Sequence, residues 1–193
     1  MTGLTGGMGV TTLCCTSDSN TIVSFSNWTP SNPTGTEAFG CTLTEVHVCR
    51  NITPLKSSAC VGILFSGSFN ELINVSSNDS MVGVHSRYSW HCKIHGCIAS
   101  RYTSGSGAGT DSWKGFYIDG SHISSGTPQG NLELKVSKTI AQCKPSTVGI
   151  SYGYIVDGGF QDVSIEDIVS NTCSYGMRIT GESGLSYLTI LEI

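Results

Sequence analysis

Gly62-Ile-Leu-Phe-Ser-Gly67-Ser-Phe69-Asn-Glu71-Leu72 matches Gly153-Tyr-Ile-Val-Asp-Gly158-Gly-Phe160-Gln-Asp162-Val163 in glycine, apolar, aromatic and acidic character at most positions. The opening hexapeptide returns as Gly115-Phe-Tyr-Ile-Asp-Gly120 and Gly176-Met-Arg-Ile-Thr-Gly181, and Gly83-Val-His-Ser is a degenerate copy without the second glycine. The copies begin at 62, 83, 115, 153 and 176, in steps of 21, 32, 38 and 23 residues. A minimum coil near 21 residues with loops inserted in the middle steps is the signature of a β-solenoid. The apolar runs alternate, or are wholly apolar, over four to six residues and stop at glycine, which is strand rather than helix patterning.

A second element follows the hexapeptide. Val163-Ser-Ile165-Glu-Asp-Ile168-Val-Ser-Asn171 is echoed by Cys92-Lys-Ile94-His-Gly-Cys97-Ile-Ala-Ser100, and its first part by Leu188-Thr-Ile190-Leu-Glu-Ile193. Each coil therefore carries at least two strands, and equivalent side chains stack at the strand spacing of about 4.7 to 4.9 Å. Turn residues such as Asn78, Ser100 and Asn171 either form ladders in that stack or simply follow the turn preference of Asn and Ser.

Composition agrees. Only 12% of the 193 residues are charged and 24 are Gly, a texture of strands and tight turns. The net charge of −4 and the scattered Lys and Arg leave no electrostatic footprint for nucleic acid. The longest apolar run, Ala59 to Phe65, is too short to cross a membrane. Nine cysteines in no regular secreted framework read as reduced, mostly buried thiols, suited to assembly in a cytosol. The expected fold is all-β, a right-handed parallel β-helix of about six coils in one domain spanning 1–193, with 1–19 as an irregular N-terminal segment. Because the last echo stops mid-coil at Ile193, a fragment or an end-covering partner is expected.

On coil length, Gly-bounded strands, irregular insertions and the Ser/Thr/Asn/Gly texture, residues 20 to 193 resemble the pectate-lyase-like right-handed β-helices. Within these the chain is most similar to the central domain of bacteriophage tailspikes and capsule depolymerases. The resemblance implies a homotrimeric virion-tail fibre, assembled in the host cytoplasm, that binds and cleaves a bacterial surface polysaccharide. No cofactor and no membrane insertion are expected. The high cysteine count departs from that pattern.

Polysaccharide hydrolysis uses two carboxyl groups, about 5 to 5.5 Å apart in retaining enzymes and about 6.5 to 9.5 Å apart in inverting ones. Asp119 and Asp157 hold one place in two copies where others carry Ser66 and Thr180, so neighbouring coils would stack them; the competing reading is that Asp-Gly merely shapes a corner. Glu166 is a further candidate, pointing outward if Ile165 and Ile168 point in. Sugar contacts are expected from Arg87, Tyr88, Trp90, Trp113 and Tyr117, beside the loop insertions. A lyase would draw on His85, Arg87, Tyr88 and His91. His91, His95 and Cys97 resemble metal ligands, but Cys92 and Cys97 match the core positions of Val163 and Ile168, so no metal site is expected. Ser104 to Gly109 reads as a flexible loop. Hydrolase is favoured over lyase, and the alternative is a non-catalytic glycan-binding or structural β-helix.

Overall fold

The computed structural model describes residues 11–16, 21–25, 38–51, 60–102, 112–120, 123–124, 127–128, 131–144, 149–158, 160–180 and 188–191. The first coil is Thr11–Cys15 (β1), Val23–Ser24 (β2) and Thr42–Thr44 (β3); the second is Val46–Arg50 (β4), Val61–Ser68 (β5) and Glu71–Ile73 (β6). Ser76–Asn78 (β7), Val82–Trp90 (β8) and Lys93–His95 (β9) make the third. The fourth runs through Ile98–Arg101 (β10) and Trp113–Gly120 (β11), then Ile123–Ser124 (β12), Thr127–Pro128 (β13) and Asn131–Leu132 (β14), to Lys135–Ser137 (β15). Ile140–Cys143 (β16), Ser151–Gly158 (β17), Phe160–Gln161 (β18) and Val163–Glu166 (β19) form the fifth, and Val169–Asn171 (β20), Tyr175–Thr180 (β21) and Leu188–Leu191 (β22) the sixth.

Successive strands visit three sheets in turn. Sheet 1 is β1-β4-β7-β10-β16-β20, sheet 2 is β2-β5-β8-β11-β17-β21 with β14 and β18 on its flank, and sheet 3 is β3-β6-β9-β15-β19-β22. Every pairing in the three sheets is parallel, and the antiparallel hairpin β12-β13 stands outside them. The described residues form six rungs of a right-handed parallel β-helix, the hand that parallel crossovers take. The stretch expected to be irregular at the N-terminus contributes β1, while residues 1–10, like Ser104 to Gly109, lie outside the described residues.

Register makes the sequence repeat literal. Flanking partners put Gly62 beside Gly83, Gly83 beside Gly115, Gly115 beside Gly153 and Gly153 beside Gly176. This column faces a column of small residues in sheet 1, Ser77, Ala99, Ala141 and Ser170, which stack in register. At every glycine of the column but Gly176 a Cβ atom has no room: one added at Gly115 would lie 2.6 Å from Gly153 O and 2.8 Å from the Ala141 Cβ. Gly115→Ala is therefore expected to cost about 1–3 kcal/mol, the range for overpacking. An unchanged denaturant midpoint would show that the rungs part without cost.

Behind the glycines the core is made of side-chain stacks. Ile63, Val84, Phe116 and Tyr154 follow one another across the rungs of sheet 2, and Leu72, Ile94, Val136 and Ile165 across sheet 3, all within 2% of full burial. Phe116 and Tyr154 stack with centroids 5.1 Å apart. The buried Tyr154 hydroxyl donates to Thr139 O at 2.8 Å, so its polar tip is satisfied. The turn residues do form a ladder: Asn78, Ser100, Gln142 and Asn171 are in register, and Ser100 Oγ donates to Asn78 Oδ1 at 2.6 Å.

The cysteines depart from the expectation of reduced thiols. Cys14 and Cys49 are disulfide-bonded, with Cα atoms 4.7 Å apart. They are direct partners in β1 and β4, and in-register neighbours on adjacent rungs meet the Cα separation a disulfide needs. Cys60, Cys92, Cys97 and Cys143 are buried, as expected.

Candidate functional site

In β11 and β17 the core takes Phe116 and Ile118, and Tyr154 and Val156. Strand alternation turns the residues between them outward. Three columns result on the outer face of sheet 2. Val61, Val82, Lys114, Tyr152 and Tyr175 form the first; Leu64, His85, Tyr117, Ile155 and Arg178 the second; Arg87, Asp119, Asp157 and Thr180 the third.

Asp119 and Asp157 are thus direct partners on adjacent rungs. Asp119 is 6% exposed and accepts from His85 Nε2 at 3.0 Å. Asp157 is half-buried; Thr180 Oγ1 donates to its Oδ1, and the Tyr117 hydroxyl reaches its Oδ2 at 3.4 Å. The His85 ring stacks on Tyr117 with centroids 4.7 Å apart, and Lys114 Nζ sits 4.0 Å from the Tyr117 ring centre. Burial and the two nearby aspartates push the Tyr117 phenol well above its ordinary value. The hydroxyl therefore keeps its proton at neutral pH and donates.

Burial also holds the His85 imidazole below the ordinary histidine value, against the upward pull of its hydrogen bond to Asp119. A neutral ring that donates through Nε2 leaves Nδ1 as an acceptor. The sign for stability follows from the depressed value: the unfolded chain takes up a proton first, so stability is full above the unfolded value near 6.5 and falls as pH drops below it. Wild-type denaturant midpoints are expected to fall between pH 7.5 and 5.5, and His85→Gln to flatten part of that fall. His47, lowered by burial against Asp79, supplies a second part of the same sign. An equal fall in wild type and variant would show that His85 titrates alike in both states.

Of the sequence-predicted residues, Asp119, Asp157, Tyr117 and the half-buried Arg87 come together on this face. Glu166 points outward as expected but from sheet 3, where Lys135 Nζ meets its Oε1 at 2.6 Å, so it does not join the aspartates. Trp113 is a correction: its ring is wholly buried in the core and offers no face to a sugar. Tyr88 is another. It is the extra residue of β8 where the register to β5 shifts, its φ is +51°, and it is 4% exposed, with burial pushing its phenol up to about 12. Trp90 ends β8, half-buried on the rim. The histidines of the ligand-like stretch are apart: His91 Nδ1 pairs with Glu133 at 2.7 Å, His95 Nδ1 with Ser137 Oγ at 2.9 Å, and Cys97 lies in the core.

Sequence reasoning passed over Lys114, Tyr152, Tyr175 and Arg178 as site residues. The signal was present, because the first three stand immediately before a repeat glycine and Arg178 stands two after one, as do His85 and Tyr117.

No family model matches the chain. No curated protein sequence matches it either. Two solved structures of PfbA, a surface adhesin of Streptococcus pneumoniae, are similar at 10% and 11% identity, each with a TM-score of 0.32. The alignments cover 89% and 90% of this chain but 52% and 56% of those, so the chain spans about half their length.

Proposed function

We propose that the chain is a polysaccharide depolymerase of the phage-tailspike type, acting as a hydrolase on a bacterial surface glycan, with its site on the outer face of sheet 2. The observation that carries this reading is the in-register pairing of Asp119 with Asp157. Rung spacing of about 4.7 to 4.9 Å is close to the roughly 5 to 5.5 Å between the carboxyl groups of retaining glycosidases. One carboxyl group protonates the leaving glycosidic oxygen while the other attacks the anomeric carbon, and water then releases the sugar. Asp157, the more open of the two, faces the substrate; Asp119 is oriented by His85. Arg87 and Tyr117 border the pair; the guanidinium supplies donors to sugar hydroxyls, and the Tyr117 oxygen, its proton on Asp157, supplies an acceptor.

The test is reducing-end release from a panel of bacterial capsular and lipopolysaccharide glycans by the wild type, Asp119→Asn and Asp157→Asn. Release that both variants lose supports the hydrolase. The second reading is glycan recognition without cleavage, and one observation favours it: Asp119 is nearly buried and both oxygens of Asp157 already have donors. Tight glycan binding by a wild type that releases nothing would select it. The tailspike reading also carries a homotrimer on the virion, which sedimentation equilibrium tests.

A further inference from the structure

Lys114 and Arg178, on the outer face of sheet 2, are in no side-chain ion pair among the described residues. Among the described residues the acids in side-chain contact with a basic group are Asp119 with His85, Glu133 with His91 and Glu166 with Lys135; Lys114 and Arg178 belong to none of these pairs. Both instead lie against tyrosine rings, Lys114 Nζ 4.0 Å from the centre of Tyr117 and the Arg178 guanidinium carbon 5.8 Å from the centre of Tyr152. Tyr152 stacks on Tyr175 with centroids 5.1 Å apart and planes 15° from parallel, and Tyr175 is 55% exposed.

Register fixes how these groups are spaced. Lys114 is on the fourth rung, Tyr152 beside it on the fifth, and Tyr175 and Arg178 on the sixth. The two cations bracket the fifth rung from either side, and Arg178 leans back over it. Burial lowers the Lys114 ammonium from its ordinary value, Asp119 and Asp157 raise it, and Arg178 lowers it again. Two like charges on the rungs either side of the fifth, each against a tyrosine ring and neither in an ion pair among the described residues, are the groups an anion would meet on this face. Asp119 and Asp157 lie one to two columns across the same strands, so a glycan crossing the sheet would place one sugar over the cations and its neighbour over the acids.

We infer that Lys114, Arg178 and the Tyr152–Tyr175 shelf form a subsite for a sugar bearing an anionic group, a carboxylate or a sulfate ester, and so select acidic over neutral glycans. The inference rests on the proposed glycan-directed function and specifies its substrate class. A guanidinium takes either group in a two-point contact, and the tyrosine edge carries the sugar ring.

The experiment is a glycan array of matched acidic and neutral polysaccharide fragments, followed by titration calorimetry on the tightest binder. That binder is expected to be acidic. Reducing its carboxylates to alcohols, or desulfating it, is expected to weaken binding about tenfold, and which treatment does so identifies the anion. Lys114→Gln and Arg178→Gln should each weaken the acidic fragment about tenfold and leave the neutralised one within about twofold. Lys135→Gln, which removes the same charge from sheet 3, should change neither. A neutral best binder, or an acidic one indifferent to neutralisation, overturns the anionic subsite while leaving the glycan reading standing. Binding of no glycan at all overturns the glycan reading, and the subsite with it.

Discussion

Asp157→Asn is expected to lower polysaccharide cleavage by about 10²- to 10⁴-fold, the usual contribution of a positioned acid–base group, with glycan affinity held within about threefold. The substitution is nearly isosteric. It keeps one oxygen and turns the other into an amide that faces hydroxyl groups able to accept as well as donate, so the contacts with Thr180 and Tyr117 survive. What is lost is the negative charge and the capacity to exchange a proton with the glycosidic oxygen or to attack the anomeric carbon. Glu166→Gln is the internal contrast. Its carboxylate lies on sheet 3 in a half-exposed pair with Lys135, and such pairs contribute little, so cleavage and stability should both stay near wild type. Full cleavage by Asp157→Asn would remove the aspartate pair from the chemistry, whatever else the face binds.

That pair was legible because glycine spacing carries register. A glycine column tolerates no side chain between sheets 1 and 2, so the repeat survives inserted loops, and counting four residues on from Gly115 and Gly153 reaches Asp119 and Asp157. The corners were less legible. Between sheets 2 and 3 the backbone turns through positive φ at Phe69, His91, Glu133 and Asp162, and between sheets 3 and 1 at Glu45, Asn74, Lys138 and Asp167. The local sign of such a conformation is Gly, Asn or Asp; Gly96 carries it at the corner between β9 and β10, and of these eight Asn74, Asp162 and Asp167 do. Stacking on neighbouring rungs holds the others there, which no single stretch of sequence displays. The disulfide was hidden for a related reason: Cys14 and Cys49 are 35 residues apart and meet only through register.

Trp113 shows where alternation misleads, and its replacement carries the largest expected loss of stability. Counting back by twos from Phe116 and Ile118 turns Trp113 outward, as a sugar-binding ring would need. The strand instead bends at Gly115, where the glycine and Phe116 both face the interior, and the parity of everything before it reverses. The indole packs so closely that its ring tip lies 3.1 Å from where a Gly115 Cβ would stand. Trp113→Ala is therefore expected to destabilise the fold by about 3–5 kcal/mol, read as a lower denaturant midpoint, through lost burial and the void left between rungs. Trp113→Phe should recover most of that. It refills much of the space and removes an indole Nε1–H that is buried without an acceptor among the described residues. A sugar-contacting tryptophan would behave in the opposite way, losing glycan affinity in both variants while the midpoint held. That outcome would place the ring on the surface and undo the bend at Gly115.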